Sequence, residues 1–412
     1  MKVLLVNKYH YYNGGSETYH FALDELLRKH GHQVIHFAMQ DDANLPSPTS
    51  RYFIPGIDYN NIGGTFDKIR AIQSMFYSKV AFAKMNDLLT DEKPDIVHMG
   101  LVHKQITYSI VEAIRAHNIP IVQSVHDLVF TCPCYTMLTN NENCELCVEG
   151  SKWNCVKKRC VKGSTLKSLL SVIEDKYIRK NGYYDLIDTY ITECSFYQSI
   201  LERSKFSKSR IMTIANFLPP SKAIELNTYR GEYLLYFGRF SPEKGIITLL
   251  KAYHEAQINI PLVLVGGGPI ESEIREYTTM NGLQEKVKFA GYVYGKEMEG
   301  ILSKAMAVIV PSEWYENAPY SILEAMAKSR PVIASNIAGL PELVKNGETG
   351  YLFNPRDTKA LAKAICTLAS LDENQYESMC RSSFNHIKAI GSPEGYYTQL
   401  MDLYTQVIER NH

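Results

Sequence analysis

Two glutamates separated by seven residues point most directly to chemistry in this chain. Glu316 follows the apolar run at residues 305–310, and Glu324 lies within the amphipathic segment 321–328. The run predicts a buried strand and the segment predicts a helix, so one carboxylate precedes the helix and the other lies about one turn inside it. Such a pair suits a ligand with hydroxyl groups on both sides of a phosphate, because free N–H groups at a helix N-terminus bind phosphate. Two solvated surface acids are the alternative.

Two cations in an earlier loop could hold the same phosphate. Residues 233–237 predict a strand, and Gly238, Arg239 and Lys244 follow it before the next predicted helix. Gly238 permits a sharp turn, Arg239 offers a two-pronged guanidinium, and Lys244 offers a mobile point charge. We therefore predict a diphosphate clamp in this loop, against the alternative of two ordinary surface cations.

Two further strand ends in the second half could border a nucleotide. Gly266 and Gly267 follow the predicted strand 261–265, and Tyr292 follows the predicted strand 287–289. The glycine run does not match Gly-x-Gly-x-x-Gly, and no acid follows a strand at the usual offset, which disfavours dinucleotide-dependent redox chemistry. A plain tight turn and a packed tyrosine are the alternatives here.

The first half has its own candidates at the same kind of position. Gly14 and Gly15 precede the first predicted helix, where glycine backbone can approach a sugar or phosphate. His126 ends a predicted strand and could hydrogen-bond a sugar hydroxyl, although a structural histidine of the core is the alternative.

Strand and helix signals alternate through both halves of the chain. The predicted strands cover residues 2–7, 33–38, 95–100, 120–126 and 186–192, then 233–237, 261–265, 287–289, 307–310 and 331–334. This alternation predicts an α/β fold of two Rossmann-like, doubly wound parallel-sheet domains that face a cleft. We assign residues 1–215 to the first domain with an insertion at about 130–163, 216–231 to a linker, 232–392 to the second domain and 393–412 to a final helix.

Composition excludes several classes of protein. The 412 residues are 45% hydrophobic and 21% charged, which is typical of a globular protein of two domains. The formal net charge of zero disfavours a protein that coats nucleic acid. The chain opens directly on a predicted strand and has no apolar run long enough to cross a bilayer, so we predict a cytoplasmic protein.

Taken as a set, these motifs resemble those of a retaining glycosyltransferase of family 4 with the GT-B fold. They run in order from Gly14-Gly15 and His126 through Gly238-Arg239-x4-Lys244-Gly245 and Gly266-Gly267-Gly268 to Glu316-x7-Glu324. The resemblance covers nearly the whole chain and is strongest over residues 232–355.

The resemblance implies a role for each matching residue. Arg239 and Lys244 would hold the donor diphosphate, Glu316 the hydroxyls of the donor sugar, and Glu324 the ribose. His126 would face the transferred sugar. Catalysis would therefore involve Glu316, His126, Arg239 and Lys244, and further donor contacts would come from Gly14, Gly15, Gly238, Gly266, Gly267, Tyr292, Asn317, Ala318, Pro319 and Tyr320. The text Asn317-Ala318-Pro319 departs from the usual family pattern, which leaves the donor sugar open.

The resemblance also implies an activity. We expect a hexosyltransferase that moves a sugar, with retention, from a nucleotide-diphosphate sugar to a saccharide or polyprenyl-diphosphate-linked acceptor in surface polysaccharide assembly. A UDP-sugar is favoured over a GDP-sugar, and no nucleic acid is expected as a partner. No Asp-x-Asp motif occurs, so we expect catalysis without a metal. In this family the final helix returns to the N-terminal domain. A nucleotide-sugar epimerase of the same fold and a non-catalytic nucleotide-sugar-binding scaffold are the alternatives.

Six cysteines lie between residues 132 and 160 and predict a structural metal site. The paired spacing suits a tetrahedral thiolate site for zinc and lacks a ferredoxin pattern, which disfavours an iron–sulfur cluster. The favoured ligands are Cys144, Cys147, Cys155 and Cys160, with Cys132 or Cys134 as a substitute. Reduced thiols or disulfides are the alternatives.

The insertion and the helix after it are basic. The cations Lys152, Lys157, Lys158, Arg159, Lys162, Lys167, Lys176, Arg179 and Lys180 alternate with apolar residues. A solvated face is one interpretation. The other is a surface that meets anionic lipid or a lipid-linked acceptor, which would place the protein peripherally at the inner face of a membrane.

Overall fold

The computed structural model describes residues 1–59 and 64–411. The chain divides into two compact units. The first consists of Met1–Thr136, Glu145–Ala215 and Pro393–His412, and the second of Met137–Cys144 and Asn216–Ser392. The final segment thus belongs to the first unit, and the short segment Met137–Cys144 of the cysteine-rich insertion belongs to the second.

The first unit is built on a six-stranded parallel sheet. In chain order its elements are β1 (Lys2–Val6), α1 (Gly15–Lys29), β2 (Gln33–Phe37), β3 (Met39–Gln40), β4 (Ile54–Pro55), α2 (Thr65–Phe76), α3 (Lys79–Glu92), β5 (Ile96–Met99), α4 (Ser109–Ala116), β6 (Ile121–Ser124), α5 (Trp153–Lys157), α6 (Thr165–Lys180), β9 (Thr189–Thr192), α7 (Ser195–Ser204), β10 (Arg210–Thr213) and α15 (Pro393–Asn411). The strand order is β10-β9-β6-β5-β1-β2, and β3 pairs separately with β4.

The second unit repeats this architecture. It contains the hairpin β7 (Leu138–Thr139) and β8 (Glu142–Asn143), followed by β11 (Tyr233–Phe237), α8 (Ile246–Ala256), β12 (Leu262–Val265), α9 (Glu271–Met280), β13 (Val287–Gly291), α10 (Gly295–Lys304), β14 (Ala305–Val310), α11 (Tyr320–Ala327), β15 (Val332–Ser335), α12 (Leu340–Leu343), β16 (Gly350–Phe353), α13 (Thr358–Ala369) and α14 (Glu373–Ile390). The six-stranded sheet has the order β13-β12-β11-β14-β15-β16, and all of its pairs are parallel.

Apolar strands and amphipathic helices explain both cores. All six residues of β14 are buried, as expected for a central parallel strand that helices cover on both faces. Leu249, Leu250 and Tyr253 of α8 pack on this sheet with Leu361 and Ile365 of α13. This packing fixes the positions of the strands and therefore of their carboxyl ends, where ligands bind in open α/β sheets.

Side-chain caps define where two of these helices begin. Asp357 accepts a hydrogen bond from the Ala360 amide at the start of α13. Asp372 and Gln375 form a reciprocal capping box at the start of α14. Each cap satisfies amide groups that a helix N-terminus leaves without an intrahelical partner.

The predicted fold class of two doubly wound parallel-sheet domains is confirmed. Boundaries shift by a few residues: the helix predicted at 321–328 is α11, and the strand predicted at 186–192 is β9, which follows a 3-10 turn at Tyr183–Leu186. Strand β10 was not predicted. Residues 216–231, expected as a linker, group with the second unit, and Phe217 and Leu218 there are fully buried. Within residues 1–59 and 64–411, no helix combines the length and apolarity needed to cross a bilayer.

Candidate functional site

The loops after β11 and β14 meet at the carboxyl edge of the second sheet. The two strands are neighbours, with Leu235 opposite Val308. The chain runs outward from this pair in both directions, to β12 and β13 on one side and to β15 and β16 on the other. This is the topological switch point, where the loops diverge and leave room for a ligand.

Lys244 and Glu316 form an ion pair across these two loops. The Lys244 Nζ lies 2.6 Å from the Glu316 Oε1, and the Ser312 hydroxyl donates to the same oxygen at 2.6 Å. The Lys244 ammonium also lies 5.2 Å from the centroid of the Trp314 ring. The structure therefore brings together the cation and the acid that the sequence predicted for one site.

The environment of Glu316 keeps it charged. Burial alone would raise the pKa of the Glu316 carboxyl, but Lys244 and the hydrogen bond from Ser312 outweigh burial and lower that pKa below its ordinary value. The carboxylate is thus ionised at neutral pH although the residue is only 6% exposed. An ionised acid next to an ammonium is suited to accept hydrogen bonds from sugar hydroxyls.

Arg239 lies in the loop that carries Lys244, and Glu324 lies on the helix that follows the loop with Glu316. Arg239 is exposed in the loop after β11, and its guanidinium makes no ion pair or hydrogen bond with any residue in the described part of the chain. Glu324 lies in the second turn of α11, and burial raises the pKa of its carboxyl, although Lys222 opposes the shift. The Arg239 side chain is therefore available to a ligand.

Asn216 fixes the loop that carries Glu316 through two hydrogen bonds. The Asn216 amide donates to the Ala318 carbonyl at 3.1 Å, and its carbonyl oxygen accepts from the Tyr320 hydroxyl at 3.1 Å. Asn317 and Ala318 are buried, and Pro319 caps α11. Pro319 has no N–H group, so only its neighbours can offer amides to a phosphate.

Close backbone contacts require glycine at two loop positions. A Cβ on Gly245, whose φ is +69°, would lie 1.9 Å from the Pro311 carbonyl oxygen. A Cβ on Gly266, whose φ is +127°, would lie 2.0 Å from the Gly238 carbonyl oxygen. Any larger residue would push the three loops apart, so these glycines hold the loops at the distances described above.

Gly267 and Tyr292, which were predicted to border a nucleotide, lie next to each other. A Cβ on Gly267 would lie 2.8 Å from the Tyr292 ring. Tyr292 is 66% exposed and stacks on Tyr294, with ring centroids 6.4 Å apart and planes 4° from parallel. An exposed aromatic pair beside open backbone offers a surface for a flat base.

In the first unit, His126 is oriented by a residue that the sequence did not single out. The His126 Nδ1 lies 2.7 Å from the Glu193 Oε1, and both side chains are buried. Burial lowers the pKa of His126, but the Glu193 carboxylate outweighs it and raises the pKa above the ordinary value. Glu193 thereby holds Nδ1 protonated and leaves Nε2 for other contacts.

The glycine turn before α1 lies at the same edge of the first sheet. Gly14 and Gly15 are exposed, and no atom lies within 4 Å of a Cβ built on Gly15. Buried Glu17 accepts hydrogen bonds from Asn7 at 3.1 Å and from Ser16 at 3.0 Å, which ties α1 to the end of β1. The turn therefore exposes its backbone to solvent, while the hydrogen bonds of Glu17 fix its position.

Two family models match consecutive parts of the chain. The Glycosyltransferase Family 4 model matches residues 13–222, which is just over half of the chain. The chain belongs to glycosyltransferase family 4. The model for Glycosyl transferases group 1 matches residues 221–383.

Relatives and solved structures agree with this family. O-antigen chain mannosyltransferase B of Escherichia coli is 32% identical over 152 residues, which cover 36% of this chain and 39% of that protein. Sucrose-phosphate synthase of Thermosynechococcus elongatus matches with a TM-score of 0.71 at 20% identity, over 99% of both chains. Anabaena HepE in complex with UDP-glucose matches with a TM-score of 0.66 at 17% identity, over 98% of this chain and 100% of that one. The GT-B fold is thereby confirmed. The sequence match spans about two fifths of the length of the curated relative.

The cysteines of this family 4 chain lie on both units. Cys132, Cys134 and Cys155 come together in the first unit: the sulfurs of Cys132 and Cys134 are 3.4 Å apart, and thiol contacts with Cys132 and Cys155 lower the pKa of Cys134. Cys144 belongs to the second unit. None of the nine cysteines, all of which are described, forms a disulfide.

Sequence reasoning missed the residues that orient the predicted ones. Glu193 and Ser312 each bond to a predicted residue, and Asn216 anchors the loop between Glu316 and α11. Glu193 follows β9 directly, so its position at a strand end was the available signal. Asn216 had no comparable signal, because its partner Ala318 is distant in sequence. Ser312 had none either, because a serine is common in any loop.

Proposed function

We propose that this chain is a retaining glycosyltransferase that transfers a hexose from a UDP-sugar to a saccharide or lipid-linked saccharide acceptor. The observation that carries the proposal is the Lys244–Glu316 ion pair beside the N-terminus of α11, with Arg239 open to solvent next to it. Two cations, an ionised acid and a helix N-terminus at one strand edge match a sugar attached to a diphosphate.

The proposed chemistry follows from where charge develops. As the bond between the sugar and the diphosphate breaks, the leaving diphosphate gains negative charge and the sugar becomes oxocarbenium-like. Arg239, Lys244 and the amides at the start of α11 would stabilise the leaving group. Glu316 would hold sugar hydroxyls, and Glu324 would bind the ribose. Retention would then arise from attack on the face that the leaving group vacates, with the departing phosphate taking the acceptor proton.

The first unit would supply the acceptor side. His126, held by Glu193, would face the transferred sugar, and the backbone at Gly15 would approach the donor. The domain limits 1–215, 232–392 and 393–412 proposed from the sequence are compatible with this division of labour. Catalysis is proposed to proceed without a divalent metal, since the cations of the second unit take the role that a metal would play.

Names of relatives support the donor and the pathway. HepE is described in complex with UDP-glucose, and a matched Escherichia coli relative is an O-antigen chain mannosyltransferase. We therefore infer a nucleotide sugar as donor and surface glycan assembly as the context. The relatives named above give no support to the alternative of a nucleotide-sugar epimerase.

Turnover assays test the proposal. Wild-type protein is incubated with matched UDP- and GDP-sugars, and nucleotide release is measured with and without saccharide acceptors. We expect release with a UDP-sugar, loss of release in Arg239→Ala, and unchanged release in Arg381→Ala, an exposed arginine on α14. Proton NMR of the product should show the α-configuration of the donor. Donor binding without turnover by any panel member would favour the scaffold instead.

A structural zinc is proposed in the cysteine-rich insertion. Cys132, Cys134 and Cys155 would supply three thiolates in the first unit. Cys147 interacts electrostatically with Cys132 and Cys155, and Cys160 interacts with Cys155, so either could supply a fourth. Cys144, also favoured from spacing, belongs to the second unit. Thiolates of this number fit zinc. Zinc analysis of wild type and Cys134→Ser tests it, and free thiols with no zinc in the wild type would refute it.

A peripheral contact with anionic lipid is proposed for the same region. Trp153, Leu166 and Ile173 are 42%, 64% and 40% exposed. Lys158, Lys167 and Lys176 are exposed in the same segment, and the Lys176 Nζ lies 5.2 Å from the centroid of the Trp153 ring. Apolar side chains among cations suit a membrane interface. Co-sedimentation with phosphatidylserine vesicles at low salt should decrease in Leu166→Ser/Ile173→Ser. Equal pelleting of both proteins, or none of the wild type, would contradict the contact.

A further inference from the structure

Three buried histidines of the first unit converge outside the proposed transfer site. His10 lies in the loop after β1, His20 lies on α1 and His36 lies on β2. They are 2%, 7% and 4% exposed. One ring nitrogen of each lies within 4.8 Å of one from each of the other two. Among the residues that the structure describes, these three histidines are the group of potential metal ligands whose ligand atoms all lie within 4.8 Å of one another.

Each of these rings has a buried nitrogen without a hydrogen-bond partner in the described chain. The atoms are the Nδ1 of His10, the Nε2 of His20 and the Nδ1 of His36. Buried polar atoms are rarely left unpaired, so three at one place need an explanation. Direct bonds between the rings do not supply it, because each of these nitrogens lacks a partner within hydrogen-bond distance.

The tautomer of His36 is set by a carboxylate. Its Nε2 lies 3.2 Å from the Asp24 Oδ1, and a carboxylate can only accept a hydrogen bond. The proton of a neutral His36 therefore resides on Nε2, which leaves a lone pair on the buried Nδ1. A histidine that donates one N–H to a carboxylate and offers the other nitrogen is the usual arrangement around a bound metal.

Protonation does not explain the cluster either. Burial and the neighbouring His36 lower the pKa of His10 to about 4, and burial lowers the pKa of His20 well below its ordinary value. Both rings are thus neutral at physiological pH, which is the form that binds metal ions.

We propose that His10, His20 and His36 bind a zinc ion, with water in the fourth position. Imidazole nitrogens suit zinc, and bonds of about 2.0–2.1 Å in a tetrahedron place ligand nitrogens roughly 3.4 Å apart. Binding would draw the ring nitrogens, which lie within 4.8 Å of one another, to that spacing. The ion ties the loop after β1 to α1 and β2, and this loop leads into Gly14 and Gly15.

Zinc content tests the site without reference to activity. Wild type, His20→Gln and His98→Gln are stripped with chelator, loaded with zinc and desalted. His98 is an equally buried control, because Tyr404 and Ser124 occupy both of its ring nitrogens at 2.6 Å and 2.7 Å. We expect His20→Gln to retain one zinc fewer than wild type and His98→Gln to retain the same number. Equal zinc in wild type and His20→Gln overturns the proposal.

Cobalt separates this site from the thiolate site proposed above. The spectrum of cobalt-loaded wild type minus that of His20→Gln should show visible bands of a tetrahedral nitrogen site without a thiolate charge-transfer band. Asp24→Asn should weaken zinc binding about 10- to 100-fold, as loss of a partner of a metal-bound histidine does. If His20→Gln does not fold, crystals of wild type soaked in zinc decide: an anomalous peak among the three rings supports the site, and its absence overturns it.

Discussion

Replacement of Lys244 by methionine isolates the ion pair at the centre of the candidate site. Methionine keeps the length of the side chain and removes its charge. Glu316 would remain with Ser312 as its hydrogen-bond donor, without the ammonium 2.6 Å away. Burial would then dominate, and we expect the pKa of Glu316 to change from below its ordinary value to above it.

The size of the effect follows from burial of the two partners. Removing one partner of a buried ion pair costs roughly 3–5 kcal/mol, because the remaining charge has no compensation. The Lys244 side chain is 24% exposed and that of Glu316 is 8% exposed, so water screens part of the interaction. We therefore expect Lys244→Met to lower the unfolding free energy of the second unit by about 2 kcal/mol.

A double-mutant cycle measures this coupling directly. The variants are Lys244→Met, Glu316→Gln and the two combined, in a Trp153→Phe background. This background leaves Trp314 as the remaining one of two tryptophans, and Trp314 lies in the second unit beside Lys244. Urea unfolding followed by Trp314 fluorescence should give a coupling energy of about 1–3 kcal/mol. A coupling near zero would show that the pair does not exist in solution and would refute the electrostatic reasoning about Glu316.

The other predictions concern catalysis and pH. Arg239→Ala should lower kcat about 10²- to 10³-fold, as loss of one transition-state donor does, and initial rates measure this. It should leave the unfolding free energy unchanged in unfolding curves, because the exposed guanidinium has no partner within the described residues. Glu193→Gln should lower the pKa of His126, which NMR measures. The resulting loss of unfolding free energy should be greatest below about pH 6.5 and should vanish as pH rises through the raised pKa of His126 in the folded wild type. Burial raises the pKa of Glu174 to about 7, so the unfolding free energy of the wild type should fall as pH rises from the pKa of an unfolded-state glutamate to 7. Glu174→Gln should reduce that fall by about 3 kcal/mol. Exposed Glu202→Gln should leave the fall unchanged.

Strand ends were predictable because the pattern that creates them is local. The apolar run of β14 and the amphipathic pattern of α11 identify both elements from a few consecutive residues, and Glu316 necessarily lies in the loop between them. The pairing of β11 with β14 is not local, yet the alternation of strands and helices restricts it to few arrangements. The loop with Lys244 was therefore expected on the same edge as the loop with Glu316.

The partners of these residues were not predictable in the same way. Glu193 lies 67 residues from His126, and Asn216 lies 102 residues from Ala318. Their hydrogen bonds depend on the register of strands and on the angle at which a loop leaves the sheet, and neither leaves a pattern in neighbouring residues. The histidine trio shows the same limit, since His10, His20 and His36 become neighbours only when β1, α1 and β2 pack together.

The Lys244–Glu316 ion pair also constrains how the proposed donor would bind. Lys244 cannot give its full charge to a diphosphate while Glu316 Oε1 remains 2.6 Å away. In the proposed site, donor binding would therefore exchange one partner for another: the phosphate would pair with the Lys244 ammonium, and sugar hydroxyls would bond to the Glu316 carboxylate. A nucleotide diphosphate without its sugar supplies only the first half of that exchange and leaves a buried carboxylate uncompensated, which is unfavourable. In the proposed site the pair would therefore favour the intact nucleotide sugar over its product, and the contact that reforms between Lys244 and Glu316 would assist product release.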